Sequence, residues 1–173
     1  MNWLQVILRF VHVVSGALWV GMMVFTVVFL SPALQEAGPD AGKVNAALQR
    51  RRLMVVMPII ALLTLISGFW LFYRFSGGAP AAMLRTPVGL AFGLGGLAAL
   101  LGFVVGIALM RPVMMRSMTI TKELGGPPPL PEAERRARMG ELERLRARGA
   151  GVSRLVTGLL LFALGAMAVA RYL

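Results

Sequence analysis

The chain is 173 residues long, 58% hydrophobic and only 14% charged, with a mean hydropathy of +0.77, which excludes a water-soluble globular domain and indicates an integral membrane protein. It has no cysteine, so disulfides, thiolate metal sites and cysteine nucleophiles are excluded together. The formal charge of +11 would suggest nucleic acid in a soluble domain, but here the basic residues cluster between apolar segments. That pattern points to membrane orientation and contact with anionic lipid, not to a nucleic-acid partner.

The first predicted span covers about 3–30 and is apolar from Leu4 to Leu30 apart from Gln5, Arg9, His12, Ser15 and Thr26. It is too long for a signal-peptide core and lacks a basic start and a small-residue cleavage site, so it reads as a retained anchor. It exceeds the roughly 20 residues a bilayer needs, which implies tilt or protrusion. Ser31-Pro32 is expected to end or kink it. A polar stretch follows, with Gly38-Pro39-Asp40 as a turn, Asp40 as the cap of a surface helix over 41–52, and Arg50-Arg51-Arg52 as a basic stop.

The second span, about 54–73, carries Thr64, Ser67 and Gly68 down one side. The third, about 87–110, opens with Pro87 at a favoured first helical position and is rich in glycine. Gly89/Gly93 and Gly102/Gly106 have the four-residue spacing that lets helix backbones approach closely. The helix is expected to run on past Pro112 to about Leu124, where Gly125-Gly126-Pro127-Pro128-Pro129 breaks it. An amphipathic, charged cytoplasmic helix over 131–148 contains the i,i+4 pairs Glu132/Arg136 and Glu134/Arg138 and is expected to stop at Gly149 and Gly151. The fourth span covers about 152–170.

The expected architecture is therefore a single all-α domain over 1–173, a polytopic bundle of four transmembrane helices with one additional loop helix. Fourteen of the 18 lysines and arginines fall in the two longer loops, against Arg9, Arg74, Arg85 and Arg171 on the other side. This bias places both termini outside the cytoplasm of a bacterial inner membrane, and Trp3, Trp70, Tyr73 and Tyr172 form an aromatic belt at that outer level.

The candidate site is on the first span. His12 is the only histidine. At 100° per residue it shares a helical face with Arg9, Ser15, Gly16, Trp19, Met22 and Met23. An ionisable ring in hydrocarbon faces protein and marks a functional site by default. Three readings stay open: ligation of haem b or a metal, proton relay, or a hydrogen bond inside the bundle. Arg9 suits a haem propionate or snorkels to the interface, and Trp19 either lines the site or packs against the glycine-rich helix. Met22 and Met23, with the Met110, Met114 and Met118 face, suit Cu(I) or are compliant packing residues. Every acidic residue lies in a loop, which argues against a carboxylate-driven transporter, and hydrolase and phosphate-loop motifs are missing.

The run Arg9-x-x-His12 with Trp19-x-Gly21, closed by Pro32, resembles the first helix of the CopD-like membrane proteins, which include the copper-resistance D domain and the PuuD-type membrane domain. The resemblance implies copper handling, usually on a chain about twice as long, so that this one would act as a homodimer or within a larger membrane complex. The chain is also similar to HemJ, a four-helix protoporphyrinogen oxidase with a haem-binding histidine on its first helix, a position His12 fits. That family also carries a lysine within its bundle, whereas Lys43 and Lys122 fall in loops here. A third expectation is a structural or accessory subunit docking through the third span and the loop helix.

Overall fold

The computed structural model describes residues 2–38 and 41–173, so the expected turn at Pro39-Asp40 and the Asp40 cap lie outside the described residues. Among the described residues the chain is helical without strands. Helix α1 spans Trp3–Glu36, α2 Ala41–Arg50, α3 Leu53–Phe75, α4 Pro80–Met83, α5 Pro87–Gly125 and α6 Glu132–Val169. Helices α1, α3, α5 and α6 are each long and apolar enough to cross a bilayer, and together they form an all-α membrane bundle. The most extensive packing is between α1 and α3 and between α5 and α6, with lighter contacts of α3 on α5 and α1 on α6.

Two helices continue through a proline, α1 at Pro32 where an end or a kink was expected and α5 at Pro112 as expected. Ahead of Pro32, residues Thr26–Leu30 form a π-helical turn, and ahead of Pro112, Gly106–Met110 form another. Proline lacks an N–H and its ring crowds the carbonyl four residues back. One wider turn, with the Ser31 N–H reaching back to the Thr26 carbonyl, absorbs that conflict without ending the helix. The first span thus runs to Glu36 rather than to 30.

A second departure concerns Gly149 and Gly151. They do not end the charged helix; α6 runs unbroken from the loop through the fourth span. A Cβ added to Gly149 would stand 3.4 Å from Val113 Cγ1 and 3.8 Å from Met110 Sδ, so this glycine is a point of close approach to α5. Glycine in a helix interior costs about 1 kcal/mol relative to alanine, which this packing against α5 offsets. The glycine pairs of α5 also divide their work differently from the four-residue spacing. Gly95 and Gly102, seven apart, meet Ala163, Met167, Leu159 and Leu160 of α6, whereas Gly89 and Gly93 lie under Met83 and Leu84 at and beside the short α4, and a Cβ added to Gly106 would meet nothing within 4 Å.

The central buried cluster is Trp19, Ala61, Ala98, Ala99, Val152, Val156, Leu160 and Ala163, with the Trp19 ring edge-on to Phe103 at 6.4 Å between centroids, and Val113, Ile120 and Leu142 are buried separately where α5 meets the start of α6. Counting about 1.5 Å per residue puts Arg52 roughly 14 Å from Ala61, Arg111 roughly 18–20 Å from Ala99 and Ala98, and Arg148 roughly 12–18 Å from Val156 and Leu160, all toward one end. Trp70, Tyr73 and Tyr172 lie roughly 14–18 Å toward the other end by the same count, and Trp3 about 24 Å. Along α3 alone, Arg52 and Tyr73 stand about 30 Å apart, the thickness of a hydrocarbon core. All four aromatic residues are exposed.

Beyond the basic level, the end of α5 and the start of α6 form a hairpin protruding about 20 Å. Arg116 holds Glu141 with two bonds, Nε–Oε1 at 2.7 Å and Nη2–Oε2 at 3.0 Å. Arg138 bridges Glu123 at 3.1 Å with Glu134 and Glu141 at 3.6 Å each. The hydrogen bond from Arg116 lowers the pKa of Glu141, and the same bond raises that of Arg116.

Candidate functional site

Helix α1 presents His12 and Ser15 to α3, which answers with Thr64, Ser67 and Gly68 at the i, i+3, i+4 spacing of one helical face. Ser15, Thr64 and Ser67 are buried and His12 is half-buried. His12 Nδ1 is 2.9 Å from the Thr64 backbone carbonyl oxygen. A carbonyl only accepts, so Nδ1 carries the proton and donates, which leaves Nε2 with a free lone pair.

The Thr64 carbonyl is open to this bond although it sits inside a helix, because a carbonyl has two lone pairs. The Thr64 hydroxyl lies 2.9 Å from both the Ser15 Oγ and the Ile60 carbonyl, and Ser15 in turn donates to the Val11 carbonyl at 2.6 Å. Ser67 donates to the Leu63 carbonyl and stands 3.5 Å from His12 Nδ1. Small hydroxyls that bond back onto their own helix need no water, which is the economical way to carry polar groups in hydrocarbon.

Gly68 makes room for the imidazole. A Cβ built on it would fall 2.6 Å from His12 Cε1 and 2.9 Å from Nδ1. One turn further down the interface, a Cβ on Gly16 would meet Thr64 Cγ2 at 3.4 Å, an ordinary contact. The Cε1–Nδ1 edge of the ring therefore sits close against α3 at Gly68, positioned by one carbonyl and one absent side chain.

The other residues singled out in the sequence lie elsewhere. Arg9 is one turn toward the aromatic end, exposed, and makes no ion pair among the described residues. Trp19 is 4% exposed in the central core, about 10 Å along the helix from His12, and packs there instead of lining the histidine's surroundings. Met22 and Met23 are ten and eleven residues from His12 on the same uninterrupted α-helical stretch, a rise of about 15 Å, so they cannot share an ion with it. Met23 packs against the core, and the Met110 sulfur lies beside Gly149. Among the described residues no three histidine, cysteine or acidic side chains cluster as a metal set.

Thr64 and Gly68 are the contacts of His12 that reasoning from the histidine alone misses. The signal was present in the second span, whose only polar and small side chains in that stretch share one face. Comparison with family models, curated proteins and solved structures returns no match for this chain. What the fold and site define is a class: an all-α membrane bundle with one oriented histidine between its first two spans.

Proposed function

We propose that this chain is a haem-binding protein of a bacterial inner membrane, with both termini outside the cytoplasm and His12 as the residue that would hold the iron. The observation that carries the reading is the 2.9 Å contact between His12 Nδ1 and the Thr64 carbonyl. A histidine that ligates a metal through one nitrogen characteristically donates from the other to a carbonyl or carboxylate, which sets the tautomer and the ring plane. His12 meets that condition.

The donor set supports haem over a copper site. A haem iron is held by its macrocycle and needs one protein donor, whereas a Cu(I) site requires two or three soft or imidazole ligands close together. With Met22 about 15 Å away along the helix, a copper ion at His12 would have to draw its other ligands from a second chain. Arg9, exposed and about 4.5 Å further toward the aromatic end, suits the carboxylate of a propionate. The orientation rests on the fourteen cations of the longer loops against four on the other side.

A second reading, an accessory subunit in which His12 is only a clamp, draws on the hydroxyl chain through Thr64 and Ser15 that already knits α1 to α3. A visible spectrum with metal analysis on detergent-purified wild type and His12→Ala separates these. The expected result is a Soret band in the wild type that is lost in the variant at unchanged helicity. Copper without a Soret band, again lost in the variant, would replace haem with the CopD-like reading. A colourless, metal-free wild type after growth with haem precursor and copper would overturn both and leave the clamp.

A further inference from the structure

Helices α5 and α6 carry their weak points at one height. In α5 the π turn Gly106–Met110 is followed at once by Arg111-Pro112. Its first residue, Gly106, has no packing reason to be glycine, since an added Cβ would meet nothing within 4 Å. In α6 the weak point is Gly149-Ala150-Gly151, and a Cβ on Gly151 would likewise meet nothing. A Cβ on Gly149 would stand 3.4 Å from Val113 Cγ1 and 3.8 Å from the Met110 sulfur, which sets this segment level with the end of the π turn. Helices bend at proline, at glycine pairs and at π turns, and here all three occur side by side in two antiparallel neighbours.

On either side of that height the packing is firm and separate. Toward the aromatic end, Gly102 lets α5 close on Leu159 and Leu160, and the central buried cluster reaches along α6 only as far as Val152. Toward the tip, Ile120 and Leu142 are buried outside that cluster. The ion pairs Arg116–Glu141 at 2.7 Å and Arg138–Glu123 at 3.1 Å fasten the two helices there. Between these regions Gly149 meets Val113 and Met110, and the methionine is a side chain that adapts readily to a changed gap.

We propose that the arm formed by Arg111–Gly125 and the first part of α6 pivots as one body on the membrane bundle, about a joint made of residues 106–110 and 149–151. What reads in the sequence as a helix stop is a flexible coupling within an unbroken helix. One weak helix beside a stiff one would be splinted by it; two weak points in register leave neither helix to splint the other. The arm is about 22 Å long by its 15 residues on α5, so a pivot of about 20° swings its tip by about 8 Å.

The test is the distance distribution between two spin labels in the full-length protein in nanodiscs. The chain has no cysteine, so Lys122→Cys near the tip and Val55→Cys on α3 supply the only thiols, and both positions are exposed. Val55 lies about 9 Å from Ala61 toward the basic end, near the height of the joint but on a helix that takes no part in it. The doubly labelled protein is expected to give a broad distribution. Gly106→Ala with Gly151→Ala, which adds methyl groups into open space, is expected to narrow it about twofold, because alanine stiffens a helix where glycine loosens it. Gly158→Ala with Gly165→Ala, equally open but on the bundle side of the joint, is expected to leave it unchanged. A narrow distribution before any glycine is replaced would overturn the proposal. So would a broad one that the joint alanines do not narrow, which would mark fraying of the arm itself, or equal narrowing by the two pairs of alanines.

Discussion

The imidazole of His12 and the backbone carbonyl of Thr64 are joined across two membrane-spanning helices by a single 2.9 Å hydrogen bond, and Gly68 supplies the space in which that bond forms. Sequence separation between the partners is 52 residues, so the bond ties the first span to the second over the whole intervening loop. In hydrocarbon no water competes for either group, which makes the orientation of the ring a property of the helix packing itself.

Gly68→Ala tests that space. The new Cβ would stand 2.6 Å from His12 Cε1 and 2.9 Å from Nδ1, so the imidazole, held by its bond to the Thr64 carbonyl, has to shift or the two helices have to part. The expected cost is about 1–3 kcal/mol of bundle stability, with the Nδ1–carbonyl bond lengthened or lost. Gly21→Ala serves as the control, since nothing lies within 4 Å of its added Cβ, and is expected to be neutral or stabilising by up to about 1 kcal/mol. Reversible denaturation in mixed detergent micelles measures both. Equal effects of the two substitutions would show that the ring does not depend on Gly68.

Nitrogen-15 spectroscopy of the single histidine tests the tautomer directly. With Nδ1 donating to a carbonyl, the neutral ring should show a protonated Nδ1 and a bare Nε2. Thr64→Val removes the hydroxyl and leaves the carbonyl, so the tautomer should persist while stability falls by about 1 kcal/mol. A protonated Nε2 in the wild type would remove the lone pair on which ligation depends.

The four spans and the break at Gly126 follow from composition and hydropathy, because a bilayer demands long apolar helices and nothing in tertiary packing can override that. The helix ends were less legible. Pro32 and the pair Gly149 and Gly151 are local breakers that lost to their surroundings: a π turn accommodates the first, and close contact with Val113 uses Gly149 as a packing surface. His12 stood out as the one ionisable ring in a span. Its partner could not, since a backbone carbonyl is present at every position, and only the Thr64, Ser67, Gly68 spacing marked the face that receives it.

Trp19→Ala is expected to be the most destabilising single truncation in the bundle, costing about 3–5 kcal/mol. The ring is 4% exposed and packs against Phe103 and the alanines of α3 and α5, which are too small to close over the vacated volume. Because Trp19 lies two turns from His12, the variant should keep whatever His12 holds when it remains folded. Loss of stability below about 1 kcal/mol would place Trp19 outside the core.

The last expectation concerns the hairpin and acid. The Arg116 hydrogen bond draws the pKa of Glu141 below the ordinary glutamate value, partly opposed by desolvation and reinforced by the charges of Arg116 and Arg138. A carboxylate whose folded pKa is depressed contributes stability above its unfolded pKa and loses it as pH falls through the folded value. The hairpin formed by Arg111–Gly125 and the start of α6 should therefore loosen as pH is lowered through and below the ordinary carboxylate range. The bundle's hydrocarbon-level segments carry no carboxylate and should not respond. Hydrogen exchange, corrected for intrinsic rates, reads the two regions separately in one protein. Glu141→Gln should weaken the hairpin's protection at neutral pH and flatten its dependence on acid, by a modest amount since Arg116 and Glu141 are 42% and 37% exposed and screened by solvent. Hairpin protection that stays constant across that range would show that the ion pairs do not hold α5 to α6, and would leave the buried Val113, Ile120 and Leu142 side chains as its sole support.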